Sequence, residues 1–523
     1  MRQIEIFDTT LRDGAQAEGI SYSLEDKLNI TRQLCRLGLQ FIEAGNPASN
    51  PKDMEFFCQV GEMDTGATQI VAFGSTRKKG ITPQEDEGCR SLLAAGTRWV
   101  TVFGKSWDLH VTDVLRTTLE ENLEMIRSTV AFFRDRGREV IFDAEHFFDG
   151  YKHNRDYALG AVLAAQEAGA CRVVLCDTNG AAFPWEVEAA TREAVGLLRV
   201  PVGIHPHNDV GCGVANALAA VRAGASQVQG TYIGFGERCG NVNLSTVIAN
   251  LQLKLGYGCI PRETLPRLTK TARYIAEISN LHLPAAMPYV GKSAFAHKGG
   301  MHVDGVTKNA CSFEHLDPQA VGNSRQVLLS EFAGRSAIHA KIRDIDHTIA
   351  RDSPMTEVLV ERLKQMEYEG YSFESAGASF EVFARKCLDK YRPAFTLEYF
   401  KILGEQPAVN LARTCLAVVK ITVGDRVTIS TQEGDGPVHA LDKALRQSLE
   451  VFYPCVSTVG LIDYKVRVME GRAGTASKVR VLIDSSDGET AWTTVGVSTD
   501  IIDASWQALR DAIEYKLMRD GYV

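Results

Sequence analysis

Two histidines separated by one residue, His205 and His207 in the run His205-Pro206-His207-Asn208-Asp209, carry the most specific chemistry in the chain. Positions i and i+2 of a strand share a face, so both imidazoles can meet one metal ion. A lone strand histidine is ordinarily a satisfied core residue; a spaced pair at a strand end is a ligand pattern. Asp13, within Asp8-Thr9-Thr10-Leu11-Arg12-Asp13-Gly14-Ala15-Gln16, offers a carboxylate. Its neighbour Arg12 offers a fixed positive charge for a developing oxyanion. Asn241, in Gly236-Glu237-Arg238-Cys239-Gly240-Asn241, can add a carbonyl oxygen. Asp13, His205, His207 and Asn241 make a mixed nitrogen and oxygen set with room for substrate oxygens. It suits Mg²⁺, Mn²⁺ or Zn²⁺ and does not choose among them.

Other strand ends carry further polar groups. Phe142-Asp143-Ala144-Glu145-His146 holds carboxylates that can act as general acid or base, or orient a neighbour. Thr178, in Asp177-Thr178-Asn179-Gly180, can donate a hydrogen bond to a substrate carboxylate or simply cap its strand. Glu43 is better placed to organise Arg12 than to react.

These residues need a frame that brings distant strand ends to one face. Residues 1–261 alternate β-rich runs with amphipathic stretches such as Leu24–Leu37, Val114–Arg134 and Asn154–Ala168. The predicted strands are Gln3–Thr9, Phe41–Asn46, Gln69–Ser75, Trp99–Ser106, Glu139–His146, Arg172–Thr178, Val202–His207 and Ser226–Gly234. Eight strand–helix units of this kind predict a (β/α)8 TIM barrel, whose catalytic groups sit at the C-terminal strand ends. A doubly wound open sheet is the competitor, but no Gly-x-Gly-x-x-Gly follows the first strand. Residues 262–390 read as helical linker subdomains, with helices over Arg262–Asn280, Ser330–Ile345, Met355–Glu369 and Ser379–Cys387. Residues 391–523 read as a C-terminal α+β domain of two βββα units, a duplication that ends in helices Pro437–Phe452 and Ile502–Leu517. Its segments Gly434–Pro437 and Gly471–Ala476 have the character of ligand-cradling loops.

Composition narrows the class. The 523 residues are 45% hydrophobic and 23% charged, as in ordinary globular proteins. The net charge of -8 gives no nucleic-acid footprint, so anionic substrates would need a locally positive site. No apolar run nears the ~20 residues that span a membrane, and the first residues read as a strand, not a signal peptide. The 12 cysteines lack any Cys-x-x-Cys pair and read as reduced thiols, which suits a cytoplasmic protein.

Asp8–Gln16, His205–Asp209 and Gly236–Asn241 together resemble the signature of the metal-dependent Claisen-type barrel family, which contains 2-isopropylmalate, homocitrate and citramalate synthases. The similarity spans nearly the whole chain, the C-terminal repeat resembling the family's regulatory domain. Phe103-Gly104-Lys105-Ser106-Trp107-Asp108-Leu109-His110-Val111 and Asp143–Lys152 resemble the citramalate branch and not the isopropylmalate branch. The resemblance implies addition of the acetyl group of acetyl-CoA to a small 2-oxo acid, pyruvate in that branch. It implies that Asp13, His205, His207 and Asn241 bind the metal and that Arg12 holds the substrate carbonyl and the enolate charge. Thr178 would bind the 2-oxo acid carboxylate, and Glu145 would take part in proton transfer at the acetyl methyl. His302, in a Gly-rich turn, matches a histidine that the family supplies from the partner subunit of a homodimer. Phe313 stands where some relatives have tyrosine, so that tyrosine's role does not transfer and more falls to His302. Phe73 and Phe103, at the ends of the third and fourth strands, would wall off the space a branched 2-oxo acid needs. A branched-chain amino acid, isoleucine, is the implied effector of the C-terminal domain. The competing readings are 2-isopropylmalate or homocitrate synthesis, a lyase running the reverse cleavage, and a metal-binding amino-acid sensor without catalysis.

Overall fold

The computed structural model describes residues 2–298, 300–327, 342–343, 345, 349, 353–405, 414–469 and 477–522. Contacts divide the chain into two units, Met1–Phe295 with Leu316–Ser324 and Ala296–His315 with Arg325–Val523.

In the first unit, eight parallel strands close in sequence order. They are β1 (Glu5–Asp8), β2 (Phe41–Glu43), β3 (Gln69–Ser75), β4 (Trp99–Lys105), β5 (Glu139–Glu145), β6 (Arg172–Asp177), β7 (Val202–Pro206) and β8 (Gln227–Gly230). The ring shuts where Glu5–Asp8 pairs with Gln227–Gly230. All eight predicted strands form; β3 keeps its predicted bounds and the other seven are shorter, by one residue in β4 to β7 and by more in β1, β2 and β8. β2 stops at Glu43 because Gly45 turns with φ 152, and a Cβ there would meet the Asp53 carboxylate. β8 stops at Gly230 because the Thr231 hydroxyl bonds the Phe235 carbonyl at 2.6 Å and folds the chain back.

The helices begin and end where local chemistry dictates. Helix Leu24–Leu37 starts from a Ser23/Asp26 capping box and stops at Gly38, in left-handed conformation. Outward strand residues such as Ile6, Ile42, Val102, Phe142 and Ile204 pack with the helices into one core. The inward faces follow the period of two. At the N-terminal end Glu5, Arg172 and Gln227 form a polar plug, with Arg172 bidentate to Glu5 at 2.7 and 2.6 Å. Above it lie Phe7, Val71, Ile141 and Val174. The next inward positions, at the C-terminal strand ends, are Glu43, Phe73, Phe103, Asp143, Cys176 and His205. The polar residues sit there because alternation along each strand puts them on the same face.

In the second unit, β11 (Thr396–Glu405), β12 (Thr414–Val423) and β13 (Arg426–Gly434) form one antiparallel sheet. Strands β14 (Gly460–Val468), β15 (Val479–Ser486) and β16 (Ala491–Ser498) form another. Two short strands, β9 (Ala296–His297) and β10 (Gln326–Val327), pair separately. Helices Pro437–Glu450 and Ile501–Arg519 follow the two sheets as the duplication predicts. Leu441, Leu445 and Leu449 from one helix and Leu509, Ile513 and Leu517 from the other share a core with Val419, Ile421, Val481 and Ile483. The i, i+4 spacing of both sets is what turns each helix onto its sheet. Helices Pro354–Glu369 and Gly377–Cys387 form where the linker pattern predicts them. The helix expected over Ser330–Ile345 lies mostly outside the described residues, and the loop Gly471–Ala476 lies wholly outside them. The 12 cysteines are free thiols. No described helix is long and apolar enough to cross a membrane.

Candidate metal centre and active-site cleft

Just past β1 the backbone amide of Asp13 bonds the Thr9 carbonyl at 2.9 Å, curling the chain into a tight turn at the barrel mouth. Gly14 is needed there, since a Cβ would lie 2.7 Å from the Phe235 ring. Across the mouth, His205 is the penultimate residue of β7 and His207 follows the strand. Their rings stack with centroids 5.3 Å apart. Nε2 of His205 lies 3.4 Å and Nε2 of His207 3.8 Å from Asp13 Oδ2. One ligand atom from each of the three buried residues falls within 4.8 Å of the others. Asn241 reaches the same point through a bridge to His207, and its Nδ2 donates to Asp13 Oδ1 at 3.1 Å. Gly240 makes that approach possible, because a Cβ there would sit 2.1 Å from the Gly234 carbonyl.

The donor set fits a divalent cation. Buried polar atoms are normally satisfied, yet His205 Nε2, His207 Nδ1 and Asn241 Oδ1 are buried without a hydrogen-bond partner. Gln229 gives its amide hydrogen to Asp143 at 3.3 Å, so its Oε1 accepts from His205 Nδ1 at 2.9 Å. In the neutral ring that bond makes Nε2 of His205 the lone-pair nitrogen facing Asp13. Burial alone would raise the Asp13 pKa, but Arg12 and the two histidines outweigh it and hold the carboxylate ionised. Burial, and then the charge of His205, push His207 down to about 4, so its imidazole is neutral and ligand-competent. His205 is pulled down by burial and raised more strongly by Asp13. A cation would compete with that proton for the same nitrogen.

Beside this centre lies a cleft of about 210 Å³. Arg12, Asp13, Phe73, Phe103, Glu145, Thr178, His205 and His207 all line it, from six different strand ends. Arg12 is clamped in place. Its Nε donates to Glu43 at 2.6 Å, Nη1 to Asp13 at 3.1 Å, and its guanidinium lies 3.9 Å over the Phe73 ring. Glu43 also accepts from the Thr9 hydroxyl at 2.8 Å, which fixes the carboxylate that fixes the arginine. Phe73 stacks on Phe103 with centroids 5.1 Å apart, making a flat apolar wall. Thr178 Oγ1 accepts from the His146 amide at 2.9 Å, which leaves the hydroxyl hydrogen to donate into the cleft.

Lys105, absent from the sequence-derived set, pairs with Glu145 at the cleft wall. The signal was available: Lys105 is two residues beyond Phe103 on β4, hence on the same inward face. Gln229 and Asp143, which support His205, were likewise readable from alternation on β8 and β5. Burial, then Glu43, raise the Asp143 pKa. His302 belongs to the second unit. It sits in the first turn of helix Gly300–Lys308, which corrects the expected Gly-rich turn. A glycine at a helix start adds little strain, so the preceding glycines do not prevent the helix. The exposed His302 ring stacks on Phe313 at 4.3 Å. Gly305 makes room for that ring, since a Cβ there would lie 2.5 Å from it.

A family model described as HMGL-like matches residues 3–275. A homocitrate synthase post-HMGL domain-like model matches residues 289–370. A LeuA allosteric (dimerisation) domain model matches residues 374–517. The chain is 50% identical to the (R)-citramalate synthase of Synechocystis sp., over 98% of this chain and 96% of that protein. It is 49% identical to the (R)-citramalate synthase of Aquifex aeolicus, over 99% and 98%. The 2-isopropylmalate synthase of Shouchella clausii is more distant, at 29% identity over 100% and 98%.

Proposed function

The chain belongs to the (R)-citramalate synthase family, and we propose on that premise that it condenses acetyl-CoA with pyruvate and hydrolyses the thioester, releasing citramalate and CoA. The observation that carries this reading is full-length identity of 50% to a curated (R)-citramalate synthase.

Asp13, His205, His207 and Asn241 hold a divalent cation, Mg²⁺, Mn²⁺ or Zn²⁺, which when bound supplies Lewis acidity toward the 2-oxo acid carbonyl. Thr178 donates its hydroxyl hydrogen to the substrate carboxylate. Phe73 and Phe103 close the space beyond the pyruvate methyl. A thioester methyl is a very weak acid, so its proton must be taken by a positioned base while the oxyanion is stabilised. Glu145, held by Lys105, takes part in that transfer together with His302, supplied by a second copy of the chain. The carbanion carbon bonds C2 of pyruvate, and the ketone π pair moves onto oxygen. Arg12, immobilised by Glu43 and Asp13, faces that oxygen with a charge already in place. Water then adds at the thioester carbon, and the thiol leaves.

A homodimer is supported by the LeuA allosteric (dimerisation) domain match. Apolar side chains left exposed on the second unit support it too, among them Leu403, Val427, Ile429, Ile462 and Val468. Isoleucine is the effector proposed for that domain, in an isoleucine-forming route, and the cytoplasm is the proposed compartment. Titration calorimetry of the full chain with isoleucine and leucine tests the effector; no heat with either leaves the domain as a scaffold.

A 2-oxo acid panel followed by free thiol release tests the activity. Pyruvate should be preferred, then 2-oxobutyrate, with 2-oxoisovalerate poorest. Preference for 2-oxoisovalerate would replace the reading with 2-isopropylmalate synthesis. Consumption of citramalate with no thiol release from acetyl-CoA and pyruvate would favour a lyase.

A further inference from the structure

Thr178 belongs to a closed loop of contacts that takes no part in bond making. It follows β6, and His146 follows β5. The His146 amide donates to Thr178 Oγ1 at 2.9 Å. Nδ1 of the His146 ring lies 3.1 Å from Asp149 Oδ2, and the same oxygen accepts from Nδ2 of Asn179 at 3.0 Å. The peptide bond from Thr178 to Asn179 completes the loop, which ties two neighbouring strand ends together beside the cleft that Thr178 lines.

His146 donates from a left-handed backbone, with φ 56 and ψ 35. L-residues seldom adopt that region, and histidine is one of the few besides glycine that visit it. Six described residues other than glycine have positive φ, and two of them hold Thr178. His146 holds the hydroxyl. Arg238 holds the carbonyl, its Nη2 donating at 2.6 Å, and is itself fixed by Asp209 at 2.9 and 3.0 Å. Such conformations persist where surrounding contacts over-determine them. At His146 the ring supplies those contacts. It is buried, and its centroid lies 4.2 Å from that of His110 and 5.7 Å from that of Trp107. His110 stacks on Trp107 at 5.1 Å. Both come from the segment after β4, so three successive strand ends meet at this imidazole. Burial, then the charge of His146, lower the His110 pKa, so that ring is neutral beside its neighbour. A hydroxyl has one hydrogen and two lone pairs. With one lone pair of Thr178 taken by the amide, its hydrogen is turned away from His146.

We propose that His146 is a positioning residue for the 2-oxo acid: its left-handed amide, locked by the ring's contacts with Asp149, His110 and Trp107, aims the Thr178 hydroxyl hydrogen at the substrate carboxylate. His146 is not among the residues that line the cleft, so it acts through Thr178. The proposal rests on the pyruvate reading, with Thr178 as carboxylate donor, and adds what sets that donor's direction.

Steady-state kinetics of the full chain, with KM for pyruvate, KM for acetyl-CoA and kcat read separately, test this. His146→Val introduces a β-branched side chain unsuited to positive φ. It should raise KM for pyruvate about tenfold, the loss of one oriented bond to a charged group, with KM for acetyl-CoA unmoved and kcat changed less. His146→Asn tolerates the left-handed region and keeps an amide donor, so it should recover most of that loss. In a Thr178→Val background there is no hydroxyl to aim, and His146→Val should add under about twofold to KM for pyruvate. Where His146→Val does not fold, His146→Gly, which keeps the backbone region but loses the ring, takes its place in the same cycle with the same expectation. Full additivity in the cycle overturns the proposal while the pyruvate reading stands. So does a fall in kcat shared by His146→Val and His146→Asn at unchanged KM, which would make the ring a proton carrier. Wild-type protein that releases no thiol from acetyl-CoA and pyruvate overturns the pyruvate reading and this proposal with it.

Discussion

Replacing His207 by alanine isolates the metal centre from every other part of the cleft, because its readout need not involve turnover. The cluster leaves His205 Nε2, His207 Nδ1 and Asn241 Oδ1 buried and unpaired. A cation that binds only the folded chain stabilises it by RT ln(1 + [M]/Kd), about 2.7 kcal/mol at 100 times Kd. For a barrel-sized domain that is about 5–10 °C in Tm. Loss of one ligand weakens binding at least as much as loss of a supporting residue, about 100-fold. At the same metal concentration the variant then retains RT ln 2, about 0.4 kcal/mol, or under about 2 °C. The assay is thermal denaturation of wild type and His207→Ala, each after chelation and each with Mg²⁺, Mn²⁺ or Zn²⁺ restored. Each protein's metal-free Tm is its own baseline, which removes the packing cost of the truncation. His282→Ala, at an exposed site in the same unit, should keep the full increment. An undiminished increment in His207→Ala would refute the ligand assignment, and so would a wild type indifferent to all three metals.

Three further outcomes follow from the cleft and its support. Phe103→Leu removes half of the stacked wall, so the kcat/KM ratio of pyruvate to 2-oxoisovalerate should fall about tenfold in a two-substrate comparison, the scale of one or two methylenes. Glu145→Gln should lower kcat by about 100-fold or more, and Lys105→Met should lower it less, with the metal-induced Tm increment of both unchanged; an altered increment would instead tie the Lys105–Glu145 pair to the metal centre. Asp8 is lifted by burial from 3.8 to about 7, so the folded chain binds more protons than the unfolded one between those values and its stability falls as pH rises through that window. Asn keeps the acceptor for the Thr10 amide, so Asp8→Asn should gain on the parent by about 1–3 kcal/mol between pH 5 and 8 in paired melts; an equal offset at both pH values would refute the buried-acid account.

The parts of this molecule that obey a local rule were legible in the sequence. The period of two put His205 and His207 on one face, and the barrel pattern put that face at a shared mouth with Asp13. The pairing of Glu43 with Arg12 was also readable, because the ends of consecutive strands are neighbours in a parallel barrel. What escaped was chemistry defined by a partner across the ring. Lys105 was passed over because a lysine at a strand end looks like a solvated charge until Glu145, one strand away in space and 40 residues away in sequence, is seen beside it. Strand ends escaped for a related reason. Gly45 and the Thr231–Phe235 turn stop their strands through contacts with Asp53 and Phe235, which no hydrophobic pattern records. His302 was expected in a Gly-rich turn, and the chain forms a short helix there instead.

The same distinction bears on why the centre is built as it is. A strand-end carboxylate beside an arginine could have been a closed ion pair, with every lone pair spent. Here Arg12 takes only one oxygen of Asp13 and gives its stronger bond to Glu43, while Asn241 takes the other oxygen with its amide hydrogen and leaves its own carbonyl unused. Glu43 itself keeps Oε1 buried and unpaired. Each unmet group costs about 1–3 kcal/mol, and several sit within one small volume, whereas the barrel's opposite end closes its polar plug with Arg172 and Glu5 fully engaged. Unpaired buried atoms occur lower in the barrel too, in Trp99 Nε1 and Thr101 Oγ1, but the carboxylate, imidazole and amide atoms that can meet a cation or an oxyanion lie together at the mouth. That asymmetry, more than the identity of any single ligand, separates a reaction site from a structural ion pair in this barrel.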